Sequence, residues 1–452
     1  MSFNRNIYRE LDKWSVSSHR KPLVLRGARQ VGKTTAVKAF GASFDTFIAL
    51  NLEIAADRAL FENDLPLDEL VQRIFLEKNL QRGRRTLLFI DEIQNSPRAV
   101  EQMRYFYEQM PELFVIGAGS LLEIMMDAHK ISFPVGRVEY RYLFPLTFEE
   151  FLEATGQTEA LAVYRQIPMP PWAYDRLFAL FHRYVLVGGM PEIVARYRES
   201  NDIAALKPVY QGLLTAYVDD VSKYAKNTAE VQVIRHVIES APYETGRRIT
   251  FERFGNSPYR SREVGNALRT LERAMLLYLR YPTTAQKPPL TPDLKKKPRL
   301  QFVDTGLLNY AAGLQAQFFA HADLHSFHKG ILAEHVVAQE IMALDTLAIR
   351  KPLFWVREVR QSNAEIDALV PFRDRAVPVE VKAGKSGTLR SLHAFVDGAP
   401  HDLAVRMHAG PLGLSKQTTP KGTPYRLLDL PYFLAGRLPE YLEWAVSGNG
   451  VE

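Results

Sequence analysis

Near the start of the chain, Gly27-Ala28-Arg29-Gln30-Val31-Gly32-Lys33-Thr34 has the residue types and spacing to hold a triphosphate. The glycines let backbone N–H groups close around phosphate oxygens, and the helix-compatible stretch through Thr35 sets its positive dipole end at the same point. In this pattern Lys33 reaches the β- and γ-phosphates and the Thr34 hydroxyl ligates Mg²⁺, which points to ATP as the ligand. A second signal is the apolar run Thr86 to Ile90, which ends in Asp91-Glu92. Carboxylates at the C-terminal end of a parallel strand stand where an α/β ligand crevice lies. There Asp91 holds Mg²⁺ through water and Glu92 orients or deprotonates the attacking water, so the pair implies hydrolysis. Asp-Glu after a strand is by itself more often a solvated strand end; the phosphate loop at this distance reverses that reading. A third strand, Leu113 to Ile116, leads to Ser120, which either feels the γ-phosphate or simply turns strand into helix. Arg137 is a candidate for the arginine that offsets charge at the γ-phosphate, in its own subunit or a neighbour's, or else an ordinary surface arginine.

A different chemistry is spelled further on. Phe354 to Val356, Glu365 to Val370 and Val377 to Lys382 read as strands. Because side chains alternate on a strand, Val377, Val379 and Val381 share one face and Glu380 and Lys382 the other, while Asp367 sits with Glu365 opposite Ile366. Glu334 falls in the first turns of an amphipathic helix that opens at Gly330. An acid on a helix, then Asp, then Glu-x-Lys on strands resembles the active site of restriction-endonuclease-like nucleases. Asp367 and Glu380 are hard oxygen donors suited to Mg²⁺, and Glu334 completes the shell. Lys382 then positions the water or stabilises the charged phosphorane of a metal-assisted phosphodiester cleavage. The same residues also serve a site that binds DNA, or packs, without turnover.

Between the two lies the basic part of the chain. The net charge is +6, yet residues 247–299 hold thirteen Arg or Lys against four acids, so the remaining residues are net acidic. An anionic partner is therefore expected here, DNA first. Within Ser261 to Leu277 the positions Val264, Ala267, Leu268, Leu271, Ala274 and Met275 recur at helical spacing and form an apolar face, leaving Arg262, Arg269 and Arg273 outward with Arg260 just before. Three short helices and a Lys-rich returning strand fit a winged helix-turn-helix. Its last helix would enter the major groove while Lys295, Lys296, Lys297 and Arg299 touch phosphate; protein contact is the other use of such a fold, and a charged face is often only solvated.

The elements that must carry these groups divide 452 residues into several domains. The expected fold class is α/β: a P-loop ATPase core with a parallel sheet and flanking helices over residues 1–155, a helical segment over 156–225, the winged helix over 226–302, and an α/β domain over 303–452. Apolar residues make up 46% and charged residues 24%, ordinary for a globular protein and contrary to disorder. No stretch has the roughly 18 uncharged apolar residues of a membrane span, and the N-terminus lacks the apolar core of a secretory signal, so no membrane partner and a cytoplasmic location are expected. With no cysteine, disulfides, thiol catalysis and Cys-ligated zinc are excluded, and the histidines show no metal-ligand spacing.

The segments quoted above, together with Phe89 to Gln94, Phe144 to Phe151, Gly188-Gly189-Met190-Pro191-Glu192 and Phe302 to Leu307, resemble the AAA-type ATPases of bacteria and archaea that carry a C-terminal domain of unknown function. The resemblance spans nearly the whole chain. It implies an AAA-type core, a winged helix and a terminal restriction-endonuclease-like fold, with homo-oligomers a further expectation. It leaves the physiological role open, so a nucleotide-dependent switch that controls assembly or partner binding stands as the alternative to a nuclease. The Gly188 to Glu192 segment reads only as a helix start with Pro in its first turn.

Overall fold

The computed structural model describes residues 3–120, 122, 134, 136–220, 225, 227–315, 331–359, 362–382 and 388–447. In the N-terminal sheet β1 (Leu23–Arg26), β2 (Thr46–Asn51), β3 (Thr86–Asp91), β4 (Phe114–Gly119) and β5 (Glu139–Tyr142) run parallel in the order β2-β3-β4-β1-β5. β1, β3 and β4 are buried along their whole length because helices cover both faces, which is why they read as unbroken apolar runs. Helices Ile7–Val16 and Lys33–Gly41 pack Ile7, Leu11, Trp14, Ala36, Val37 and Phe40 on one face. Helices Leu67–Glu77 and Pro97–Gln109 cover the other with Leu70, Ile74, Val100, Met103 and Phe106.

A helical middle follows, dominated by Tyr174–Val187, Pro191–Ser200 and Lys207–Asp219. Its entry supplies the physical role that the sequence did not reveal for Gly188 and Gly189. Gly189 N–H donates to Asp304 Oδ2 at 2.6 Å, Asp304 Oδ1 accepts from Leu307 N–H at 3.0 Å, and Leu146 N–H donates to Gly189 O at 2.7 Å. A Cβ on Gly189 would lie 2.2 Å from Leu146 O, and one on Gly188, whose φ is +77°, 2.2 Å from Asp304 Oδ1. Three sequence motifs thus meet backbone to backbone, too closely for a side chain.

The basic segment consists of helix Thr228–Glu244, a 3-10 turn Phe254–Asn256, helix Ser261–Arg273, and an antiparallel ladder of β6 (Leu277–Arg280) with β8 (Arg299–Phe302), widened by bridges Thr245–Leu300 and Arg248–Arg299. The first helix keeps Pro242 inside it, and the second of the three expected short helices is only the 3-10 turn. Lys295 to Lys297 precede β8 instead of forming it. The link between β6 and β8 leaves this unit altogether: β7 (Pro282–Thr283) pairs in parallel with β9 (Leu353–Val359).

That pairing completes a mixed sheet of β7, β9, β10 (Ser362–Phe372), β11 (Arg375–Val381), β12 (Leu403–His408), β13 (Gly413–Thr418) and β14 (Pro424–Pro431), in the order β13-β14-β12-β11-β10-β9-β7. Helix Ile331–Ala343 lies against it, and residues 335–342 are all buried, so this helix is enclosed nearly all round and not the amphipathic element expected. One apolar core runs from the first helix through the helical middle and the β6–β8 unit to the last helix.

Candidate functional site

The C-terminal ends of β1, β3 and β4 lie side by side, and each delivers one part of the nucleotide site. Gly27 follows β1 where a Cβ would lie 2.5 Å from Leu143 O, and Gly32 has φ +93°, a left-handed turn that a Cβ would strain. Helix Lys33–Gly41 starts directly after it, so the first N–H groups of the helix, through Thr35, have no preceding turn to bond and face the loop. Gln30 also sits left-handed within the loop, at φ 65°. Arg5 braces this curve: Nη1 donates to Val31 O at 3.1 Å, Nη2 to Phe144 O at 2.6 Å, and Nε to Glu150 Oε1 at 3.1 Å. On the other flank the Arg29 guanidinium pairs with Asp220, and Tyr217 Oη donates to Arg29 O at 3.2 Å.

Lys33 Nζ donates to Gly27 O at 3.0 Å and Ala28 O at 2.9 Å, across the cradle. Burial pushes this ammonium down to about 8, against the pull of Glu92 and Asp91. Thr34 Oγ1 donates to Asp91 Oδ2 at 2.6 Å, so hydroxyl and carboxylate already stand together as a cation-ligand pair would. Burial raises both Asp91 and Glu92 above their ordinary values. Glu92 is left-handed, at φ 51° and ψ 44°, a conformation that costs about 1 kcal/mol and turns its side chain off the strand end. Ser120 directly follows β4, which lies between β3 and β1; its Oγ is buried without a hydrogen-bond partner among the described residues. Sequence reasoning passed over Gln94, whose Nε2 donates to Glu92 Oε2 at 2.5 Å. It equally missed Arg5, Tyr217 and Asp220, which no local pattern marks.

The expectation that Arg137 acts within its own subunit requires correction. This residue precedes β5, and Glu139 aligns with Leu23, the first residue of β1. Arg137 therefore sits at the N-terminal edge of the sheet, four strand residues or about 13 Å below the phosphate loop. There its Nε donates to Glu108 at 2.7 Å on the exposed flank, so it does not reach a γ-phosphate of its own chain.

The C-terminal acids do converge, but around an arginine. Arg299 Nη1 donates to Glu334 Oε2 at 2.7 Å and to Asp367 Oδ1 at 3.2 Å, Nη2 pairs with Glu365, and the guanidinium lies over the Phe354 ring at 5.0 Å. Burial disfavours the Arg299 charge, yet Glu334, Asp367 and Glu365 outweigh that and hold it protonated. Asp367 Oδ2 is taken by Val381 N–H at 2.8 Å, and buried Arg280 donates to the Asp367 carbonyl at 2.6 Å. Lys382 pairs with Glu380, and burial raises Glu380 and Glu334. A metal does not fit this arrangement, because both Asp367 oxygens are engaged and a guanidinium stands among the carboxylates; among the described residues no set of three His, Asp or Glu is gathered as a metal shell. The expected metal role of Asp367 and Glu380, and with it the catalytic role of Glu334 and Lys382, is corrected accordingly.

Arg299 is likewise not the surface phosphate contact expected of it, and Lys296 pairs with Glu358 at 2.9 Å. Arg260, Arg262, Arg269, Arg273, Lys295 and Lys297 remain exposed. Val264, Ala267, Leu268 and Leu271 are buried beneath helix Ser261–Arg273, as their spacing requires, with Ala274 and Met275 buried just after it.

No helix among the described residues is long and apolar enough to cross a membrane. Residues 19–152 match the AAA domain family; residues 178–317 and 329–419 match two domains of unknown function, DUF8612 and DUF4143. Among solved structures, the Walker-type ATPase PABY2304 of Pyrococcus abyssi is similar at 14% identity and a TM-score of 0.44, over 69% of this chain and 96% of that one. No curated protein matches the sequence. The phosphate loop and the carboxylates at the end of β3 thus fall within the segment that matches the AAA domain family, and two segments that match domains of unknown function follow it.

Proposed function

We propose that the chain hydrolyses ATP and uses the nucleotide state to control its binding to nucleic acid, without cutting it. The observation that carries the first half is the contact of Thr34 Oγ1 with Asp91 Oδ2 at 2.6 Å, beside Lys33, Glu92 and Ser120 at one end of one sheet. Mg²⁺ would be held by the Thr34 hydroxyl and, through water, by Asp91, and would draw charge off the β- and γ-phosphate oxygens. Glu92 accepts a proton as the water oxygen bonds to the γ-phosphorus; the bond from that phosphorus to the bridging oxygen breaks, giving ADP and phosphate. Lys33 and Ser120 face the charge that develops on the transferred group. Arg137 could take the charge-stabilising role only toward the site of a second copy of the chain, which would make the active form a homo-oligomer.

The second half rests on the exposed arginines of helix Ser261–Arg273, carried on a buried apolar face. Cleavage is left out because Arg299 neutralises the acids that a nuclease would need for metal. The test is phosphate release by the full-length chain with and without duplex DNA across a salt titration. Lys33→Ala is expected to abolish turnover while retaining the fold. Joint replacement of Arg262, Arg269 and Arg273 by Ala is expected to remove DNA stimulation and flatten its salt dependence, leaving the basal rate unchanged. Turnover that survives Lys33→Ala overturns the site; DNA-insensitive turnover in the wild type overturns the nucleic-acid half.

A further inference from the structure

We infer that Gln94 is a positioning residue for the hydrolysis, holding the carboxylate of Glu92 through its amide N–H. The inference rests on Glu92 being the base. Gln94 is only 6% exposed, on the 3-10 turn Ile93–Asn95 immediately after the left-handed Glu92. That turn brings its Nε2 to 2.5 Å from Glu92 Oε2. The other end of the same amide is fixed by shape: Gln94 Oε1 lies so close to β4 that a Cβ on Gly119 would come within 2.0 Å of it. Gln94 therefore spans from the base just after β3 to β4, the strand that leads into Ser120.

Gln94 Oε1 is buried and accepts no hydrogen bond among the described residues. A glutamine kept for packing alone uses both ends of its amide, since an unmet buried carbonyl costs about as much as the bond it lacks. Here one end is spent on the base and the other has no hydrogen-bond partner among the described residues. The amide itself takes no proton. It keeps one Glu92 oxygen engaged so that the other is presented in a single orientation.

Removal of the Gln94 amide leaves the base held in no fixed direction.

The experiment compares steady-state ATP hydrolysis by full-length wild type, Glu92→Gln, Gln94→Met and the isosteric Gln94→Glu, with binding of a fluorescent ATP analogue as the folding control. Gln94→Met is expected to lower kcat by about tenfold, with KM within about twofold. Gln94→Glu, which replaces the donor by a like charge, is expected to lose more in kcat, again with KM little changed. If Glu92→Gln collapses turnover while both Gln94 variants keep the wild-type kcat, the inference fails and Glu92 stands as the base. If Glu92→Gln turns over like the wild type, the base assignment fails and takes the inference with it.

Discussion

Lys33 shows how far a single buried charge governs this site. Its ammonium donates to the carbonyls of Gly27 and Ala28, and burial holds it at about 8, below the ordinary lysine value near 10.4. The sign follows from linkage. A folded value below the unfolded one means that the free protein binds fewer protons than the unfolded chain between about pH 8 and 10, so its stability rises with pH across that window. Triphosphate binding needs the ammonium and restores the proton. Binding of a non-hydrolysable ATP analogue is therefore expected to take up close to one proton at about pH 9 and much less at pH 7, with affinity weakening by up to about tenfold per pH unit above 8. Calorimetry in buffers of different ionisation heat measures this directly. Equal heats in all buffers at pH 9 would remove Lys33 from the phosphate site.

At the scale of elements, the joint between segments depends on backbone approaching backbone. Gly189 lies between the Leu146 turn and the Asp304 cap of helix Thr305–Ala311, with no room for a methyl group. Gly189→Ala is expected to cost about 1–3 kcal/mol in a denaturant titration, as other overpacked sites do. An unchanged midpoint would mean that these segments yield more easily than their contacts indicate. The exposed Gly212, where a Cβ would meet nothing within 4 Å, is the natural control. Asp91-Glu92 and the apolar face of helix Ser261–Arg273 were legible from sequence because strand and helix periods fix them locally. The enclosure of helix Ile331–Ala343 was not, since its composition does not say how many neighbours will surround it.

Across the whole molecule the deciding contact is Arg299, which ties β8 to helix Ile331–Ala343 and to β10. Removing one partner of a buried charged group leaves the others uncompensated, which typically costs about 3–5 kcal/mol. Arg299→Met is expected to destabilise the chain by that order near neutral pH. The loss should shrink as the pH falls and the freed carboxylates protonate, and it should be partly restored by adding Glu334→Gln and Asp367→Asn. Denaturant titrations at two pH values test it; a neutral Arg299→Met would reopen the acids as a metal site. Wild-type protein is also expected to leave supercoiled plasmid uncut in Mg²⁺.

The sequence alone determined the phosphate loop, the carboxylates at the end of β3 and the faces of β10 and β11, because each depends on residues a few positions apart on one element. Only the tertiary structure decided that Arg137 lies at the wrong end of the sheet and that Arg299 meets acids 35, 66 and 68 residues away. Such meetings depend on strand order and on how two units dock. No local period encodes either, so a basic residue that reads as a surface contact can end as the counter-ion of a buried cluster.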